Sequence, residues 1–241
     1  MLHQTRGIVL HATKFSETSN VVKIYTELFG LQSYLVKGVR KQNAKIKSGL
    51  FQPLTLLDLV VYHKEKASLQ TLKEISYSFL YQTIPFDIRK SSIALFINEL
   101  VYKTIHEEDP HPELFSFLYQ TCIHLDSIND NFTLFHLVFS LQLTRYLGCM
   151  PQSNYSGENL FLNLREGIFQ GNAPEHPDYL NPVMSKLFFQ LLQTAEGACP
   201  SIHIPAKIRD MMLEMILIYY GLHVPGFREV KSHHILHTIL G

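Results

Sequence analysis

The hydrophobic period of this chain changes once, near residue 80, and that change restricts it to folds in which strands come first and helices follow. Across residues 21–28, Val22, Ile24 and Thr26 alternate with Val21, Lys23 and Tyr25, the period of a strand with one buried face. Residues 5–13, 31–39, 54–64 and 67–77 read as further strands, with a polar break at 16–20 and a Phe29-Gly30 turn between them. Five short antiparallel strands cannot leave long edges open, and a closed small barrel removes those edges. The expected front fold is therefore a five-stranded OB-fold barrel, a fold that commonly binds nucleic-acid strands.

Beyond residue 80 the spacing becomes helical. Ile93, Phe96, Ile97, Leu100, Val101 and Ile105 fall on one face of a segment that Pro110 and Pro112 end. Pro112 suits the first turn of a second helix over 113–126. A third, over 131–147, has Phe132, Phe135, Phe139, Leu143, Tyr146 and Leu147 on one side, with Leu134, Val138 and Leu141 on others. A helix apolar on several faces belongs at the centre of its domain. Residues 148–182 interrupt the helices, and the 165–167 turn between 160–164 and 168–170 reads as a hairpin, to be held by packing Leu160, Leu162 and Ile168 onto the helices. Helices resume over 182–194 and 205–222. In the latter Ile208, Met211, Met212, Met215, Ile216 and Tyr219 form the expected buried stripe, and Ser232 is the expected N-cap of a final helix. The expected class is thus α+β: an OB-fold barrel over residues 1–80, then an all-helical domain over 81–241 with a small β-hairpin insertion at about 150–180.

Charge divides the same way. Formal net charge is zero, but residues 1–80 carry 11 Lys and Arg against 5 Asp and Glu, and residues 81–241 carry 10 against 16. A basic front and an acidic back suggest polyanion contact in one half and protein contact or scaffolding in the other. The three cysteines, Cys122, Cys149 and Cys199, are widely spaced, which fits a reducing cytosol. No signal peptide is expected, and the longest apolar run, 215–220, is too short to cross a bilayer.

The sharpest functional feature is the stretch KGVRKQNAKIK at 37–47. It holds Lys37, Arg40, Lys41, Lys45 and Lys47, and no Asp or Glu occurs between Glu27 and Asp58. Uncompensated cations on a loop between two strands can hold a phosphate chain, although such a loop can equally be a solvated hairpin tip. Phe15, Tyr25, Tyr34 and Phe51 are the aromatics of the basic half; each could stack on a base or fill the barrel. Catalytic signatures are absent from the sequence: no GxxxxGK[ST], GxSxG or HExxH occurs. The acids at 107–109 end a helix and read as a solvated run, and His233 with His237 supplies too few ligands for a metal.

These segments resemble the bacterial RecO family of recombination mediators. The similar residues are Gly7 to Leu10, Ser16 to Ser19, Tyr25 to Gly30, Lys37 to Lys41, Leu50 to Leu54 and, near the end, Gly226 to Ser232. The resemblance implies a non-enzymatic protein that binds single- and double-stranded DNA and anneals complementary strands. It implies cooperation with RecR, contact with the acidic tail of single-stranded-DNA-binding protein, help in loading RecA, and a cytoplasmic location without a membrane. The family's DNA-contact role falls on Lys37, Arg40 and Lys41; Lys45 and Lys47 join them on charge alone. That tail is acidic and apolar, so a basic residue beside a groove in the helical half is expected to receive it, with Arg145, Lys186, Lys207 and Arg209 as candidates. Many members carry a four-cysteine zinc site after the third helix. This chain keeps only Cys149 there, so neither zinc nor any other cofactor is expected. Two other readings remain at this stage: a protein-interaction adaptor whose OB-fold binds a protein partner and, less favoured, a nuclease, for which the basic half offers few carboxylates.

Overall fold

The computed structural model describes residues 1–37, 48–65, 67–106, 108–200 and 202–240. Five strands form a closed barrel: β1 (Leu2–Lys14), β2 (Asn20–Thr26), β3 (Gly30–Val36), β4 (Leu56–Tyr62) and β5 (Gln70–Tyr77), in the order β1-β2-β3-β5-β4 and back to β1. All neighbours are antiparallel except β3 and β5, which pair in parallel at Tyr34–Gln70 and Leu35–Thr71. This is the Greek-key barrel expected of the front segment, an OB-fold. Val9, Val22, Ile24, Tyr34, Leu57, Leu59 and Val61 point inward, and Leu50 and Phe51, on a short 3-10 turn at Ser48–Phe51, join them. Gly7 sits where a Cβ would come within 2.6 Å of Ile24 and 2.8 Å of Leu59, so only a bare backbone fits that crowded wall. A bulge between Val9 and His11 lets the long β1 bend and pair with both β2 and β4.

Helix α1 (Ile88–Thr104) is followed by α2 (Pro112–Ser127), with Pro112 at its first position. The chain separates into two compact units, Met1–Phe86 with Ile105–Asp126, and Asp87–Thr104 with Ser127–Gly241. A single cut at residue 80 would place α2 with the other helices; in the structure it belongs to the barrel's unit. Tyr25 lies 6.1 Å from Phe115, and the Arg6 guanidinium stands 4.8 Å from the Tyr119 ring. The Asp126 carboxylate accepts from the backbone amides of Gln82, Thr83 and Ile84 at 2.8–3.1 Å. The reason is the strand alternation itself: Tyr25 points out of the barrel, is 1% exposed, and needs an apolar cover.

The second unit is built on α3 (Phe135–Tyr146), which is buried continuously from Phe135 to Thr144, as its several apolar faces require. Around it pack α1, α4 (Pro182–Leu192) and α5 (Ala206–His223), while α6 (His233–Leu240) lies against α1 and α5. Asn181 caps α4, accepting from the Met184 amide at 3.0 Å. Ser232 stands at the expected N-cap position, its carbonyl accepting from the Leu236 amide at 3.2 Å, but its hydroxyl donates to Glu99 on α1 at 2.6 Å. On α5 the buried stripe is Arg209, Met212, Leu213, Ile216, Tyr219 and Tyr220, and Met211 is exposed, so the expected methionine stripe is rotated by part of a turn.

The hairpin is a three-stranded sheet, with β6 (Phe161–Asn163) between β7 (Ile168–Gln170) and β8 (Tyr179–Leu180). Leu162, Phe169 and Leu180 are its buried apolar residues, with Leu164 buried just after β6, whereas Leu160 and Ile168 are only half-buried. Hydrogen bonds complete the hold: Tyr219 donates to the Cys149 carbonyl at 2.7 Å, the Gln152 amide to Gly167 at 2.8 Å, and Asn154 both donates to and accepts from the Phe169 backbone. Cys149 supplies one thiol to this segment, and its neighbours in the clasp are amides, carbonyls and a phenol rather than the four ligands of a zinc site.

Candidate nucleic-acid interface

The side chains that leave the barrel on β1, β2 and β3, at the end where the basic stretch departs, are uncharged or cationic. His11, Lys23 and Ser33 lie opposite one another in register, and Thr13, Val21 and Leu35 form the adjacent row. Beyond their ends come exposed Lys14, after which the chain turns into β2, and exposed Lys37, directly after β3. Exposed Lys64 follows β4, whose end reaches Leu35 through Tyr62–Thr71 and Leu35–Thr71 pairing. None of these rows contains an acid; Glu17 and Glu65 sit in the flanking loops. Elsewhere on the barrel, a groove lined by Arg6, Glu27, Asp58, Lys73 and Glu74 mixes both signs, and Arg6 is committed to Glu27 by two hydrogen bonds of 2.6 and 2.9 Å. That pairing holds the Glu27 carboxyl below its ordinary range. One face of the barrel is therefore charge-balanced, and the other offers cations to a polyanion.

Of the basic residues expected to touch DNA, Lys37 is exposed at the rim of the cationic face. Arg40, Lys41, Lys45 and Lys47 lie outside the described residues. Reading one loop did not identify Lys14, Lys23 and Lys64; for Lys23 the outward phase of β2 was the available signal. Three of the four aromatics are withdrawn from solvent. Tyr34 and Phe51 are barrel core, with burial pushing the Tyr34 hydroxyl up, and Tyr25 is sealed beneath α2. Phe15 alone of the four is exposed, at 62%.

In the second unit the four candidate cations separate clearly. Arg145 is exposed and faces Glu196 at 3.7 Å; Lys186 and Lys207 are exposed. Arg209 is 6% exposed, its Nη2 donates to the Leu240 carbonyl, and its Nε has no partner. It lines a pocket of about 320 Å³ whose other walls include Leu134, Ile202 and Ile204, with Asn131, Thr133 and His203 as polar groups. Nearby His136 is kept neutral, its pKa pushed down to about 3 by burial and then by Arg209 and His237. A buried guanidinium beside an apolar pocket suits an anion carried on an apolar body.

Among the described residues no three His, Cys, Asp or Glu side chains converge on a metal position. His233 contacts the Val230 carbonyl, and His237 lies 3.9 Å from Asp210. No described helix is long and apolar enough to cross a membrane.

Comparison with known proteins agrees with this architecture at both ends. Residues 1–80 match the family described as Recombination protein O N terminal, and residues 85–233 match Recombination protein O C terminal. The chain is 35% identical to the DNA repair protein RecO of Bacteroides fragilis over 237 residues, covering 98% of both chains. It is 36% identical over 243 residues to that of Christiangramia forsetii, with both chains covered in full, and 32% identical over 236 residues to that of Phocaeicola vulgatus, covering 98% of both. With an OB-fold barrel in front, a helical unit behind, and similarity along its whole length, the chain belongs to the Recombination protein O family.

Proposed function

We propose that this protein is a non-catalytic mediator in DNA repair that binds single- and double-stranded DNA and brings complementary strands together. The observation that carries the reading is the acid-free cationic face of the barrel, which ends at Lys37 where the stretch 37–47 begins. Phosphates on two strands repel each other; lysines and arginines that neutralise both lower that repulsion, so complementary bases can meet. No bond is made or broken in this mechanism. In the cell the partners would be DNA, RecR and the tail of single-stranded-DNA-binding protein, with RecA loaded as a consequence, all in the cytoplasm.

Filter binding with a short oligonucleotide in moderate salt tests the reading. Retention is expected, and changing Lys37, Arg40, Lys41, Lys45 and Lys47 to Glu should remove most of it while the thermal melt stays unchanged. Full retention by that variant would overturn the assignment to this loop. No retention by the natural protein would turn the reading to an adaptor whose barrel binds a protein.

The same reading gives the acidic, apolar tail of the single-strand-binding protein a seat at Arg209. The pocket there combines a buried cation with apolar walls, whereas Arg145, Lys186 and Lys207 are exposed. Arg209→Met should weaken binding of a peptide with acidic residues and an apolar C-terminus by tenfold or more, from loss of a charge-assisted contact of about 1.5–3 kcal/mol. DNA retention should not change. Equal peptide affinity in a folded variant would exclude this seat.

A further inference from the structure

We infer that helix α6 is a releasable strap: it holds Arg209 through the Leu240 carbonyl and gives it up when the pocket takes an acidic tail. The inference rests on the tail-binding reading above and adds to it the element that regulates the seat. Arg209 sits on α5 and is 6% exposed, and its Nη2 donates to the Leu240 carbonyl in the last turn of α6. Its Nε is buried and has no partner. A buried donor left unpaired costs free energy that an incoming carboxylate recovers. The acceptor already in place is a neutral carbonyl at the end of a helix, where the aligned peptide dipoles put partial negative charge. A carboxylate brought to the same guanidinium meets that partial charge. The two acceptors therefore oppose each other, and the ionised one makes the stronger bond.

The packing of α6 lets it yield. Of its eight residues only Leu236 is buried, and Ile235 is 43% exposed. His237 reaches toward Asp210 on α5, but 3.9 Å is too long for a hydrogen bond, and its Nε2 has no other partner. A helix this short has little stability of its own, and an element with one buried side chain opens at lower cost than the fold around it. The start of the strap is tied down instead. Glu99 on α1 accepts from the amides of Lys231 and Ser232 at 2.8–3.1 Å and from the Ser232 hydroxyl at 2.6 Å. One end is thus latched to a carboxylate, and the other is held by the cation that the tail needs. Loosening either the Leu236 anchor or the Glu99 latch raises the open fraction. By reciprocity, a bound tail weakens the hold on α6 by the same factor by which a closed α6 weakens the tail.

The test uses the full chain and a fluorescently labelled peptide of aspartates ending in leucine. Binding is followed by anisotropy, and amide hydrogen exchange is read across residues 235–240. Leu236→Ala removes the buried anchor of α6, and Glu99→Gln weakens the latch while keeping its shape. Each should tighten peptide binding by about 3- to 10-fold, because a larger fraction of the protein stands open. In the natural protein, saturating peptide should speed exchange in α6, the reverse of the protection that a ligand packed against a helix gives. Equal or weaker peptide binding by either variant with a cooperative thermal melt, or unchanged or slower exchange in α6, would overturn the strap. Should Leu236→Ala fail to fold, Glu99→Gln decides. Peptide binding that survives Arg209→Met, or that is absent from the natural protein and both loosened variants alike, would instead overturn the tail-binding reading beneath it.

Discussion

Glu99 is held ionised by donors from two elements. Burial alone would raise its pKa, but Lys103 at 2.8 Å, the Ser232 hydroxyl at 2.6 Å, and the amides of Lys231 and Ser232 outweigh that and bring it to about 2. The folded carboxyl thus has a lower pKa than the unfolded one, near 4.3. Its stabilising effect is fully present above the unfolded value and is lost as pH falls through about 2. Glu99→Gln should cost about 1–2 kcal/mol at neutral pH, after allowance for solvent screening, and nothing once both proteins are below pH 2. Thermal melts of the two proteins from pH 7 downward check this; a gap that stays constant with pH would assign the effect to shape rather than charge. None of it is legible locally, because Glu99 and Ser232 lie 133 residues apart in sequence. Sequence reasoning placed Ser232 at a helix start, where a serine hydroxyl ordinarily serves its own helix.

At the scale of elements, α2 is where a reading by sequence order and the folded chain part company. Its apolar stripe marks it as one helix among several, and nothing in its spacing names the surface it covers. That surface is the outward side of the barrel at Tyr25 and Arg6. The Asp126 carboxylate fixes the helix end by accepting three successive amides of the segment that leaves β5. Asp126→Ala leaves those donors, of which the Ile84 amide is buried, without their charged acceptor and should destabilise by about 1–3 kcal/mol. Urea unfolding should show a lower midpoint with an unchanged slope; a change under 0.5 kcal/mol would mean that apolar packing alone holds α2. The three-stranded sheet teaches the same lesson. Its turn at 165–167 is visible in the sequence, but Tyr179–Leu180 is too short to announce itself as a strand, and the clasp through Tyr219 comes from a helix more than fifty residues away.

For the whole molecule, zero net charge conceals a basic front and an acidic back, and binding should follow the local field rather than the total. If about four phosphates are neutralised, log affinity for a single strand against log salt should slope near −3, from roughly −0.7 per contact. The charge-reversed loop variant, which keeps Lys14, Lys23 and Lys64, should give a clearly shallower slope. A flat line for the natural protein would show that counterion release is not the driving term. This asymmetry was readable in full, since charge is a property of composition. The division of labour among the aromatics was not: Tyr25, Tyr34 and Phe51 look as suitable as Phe15 until the barrel closes.

The sequence by itself determined the strand-to-helix change near residue 80, the five-stranded barrel and the central place of α3. Alternation and helical spacing are local periodicities that the backbone enforces within a few residues. Only the tertiary structure decided that α2 covers the barrel, that Glu99 takes Ser232, that Arg209 is the buried one of the four candidate cations, and that Phe15 remains in solvent. Each of these depends on which surface reaches which other surface across long stretches of chain. Burial and partnership are then settled by packing, and no local period encodes them.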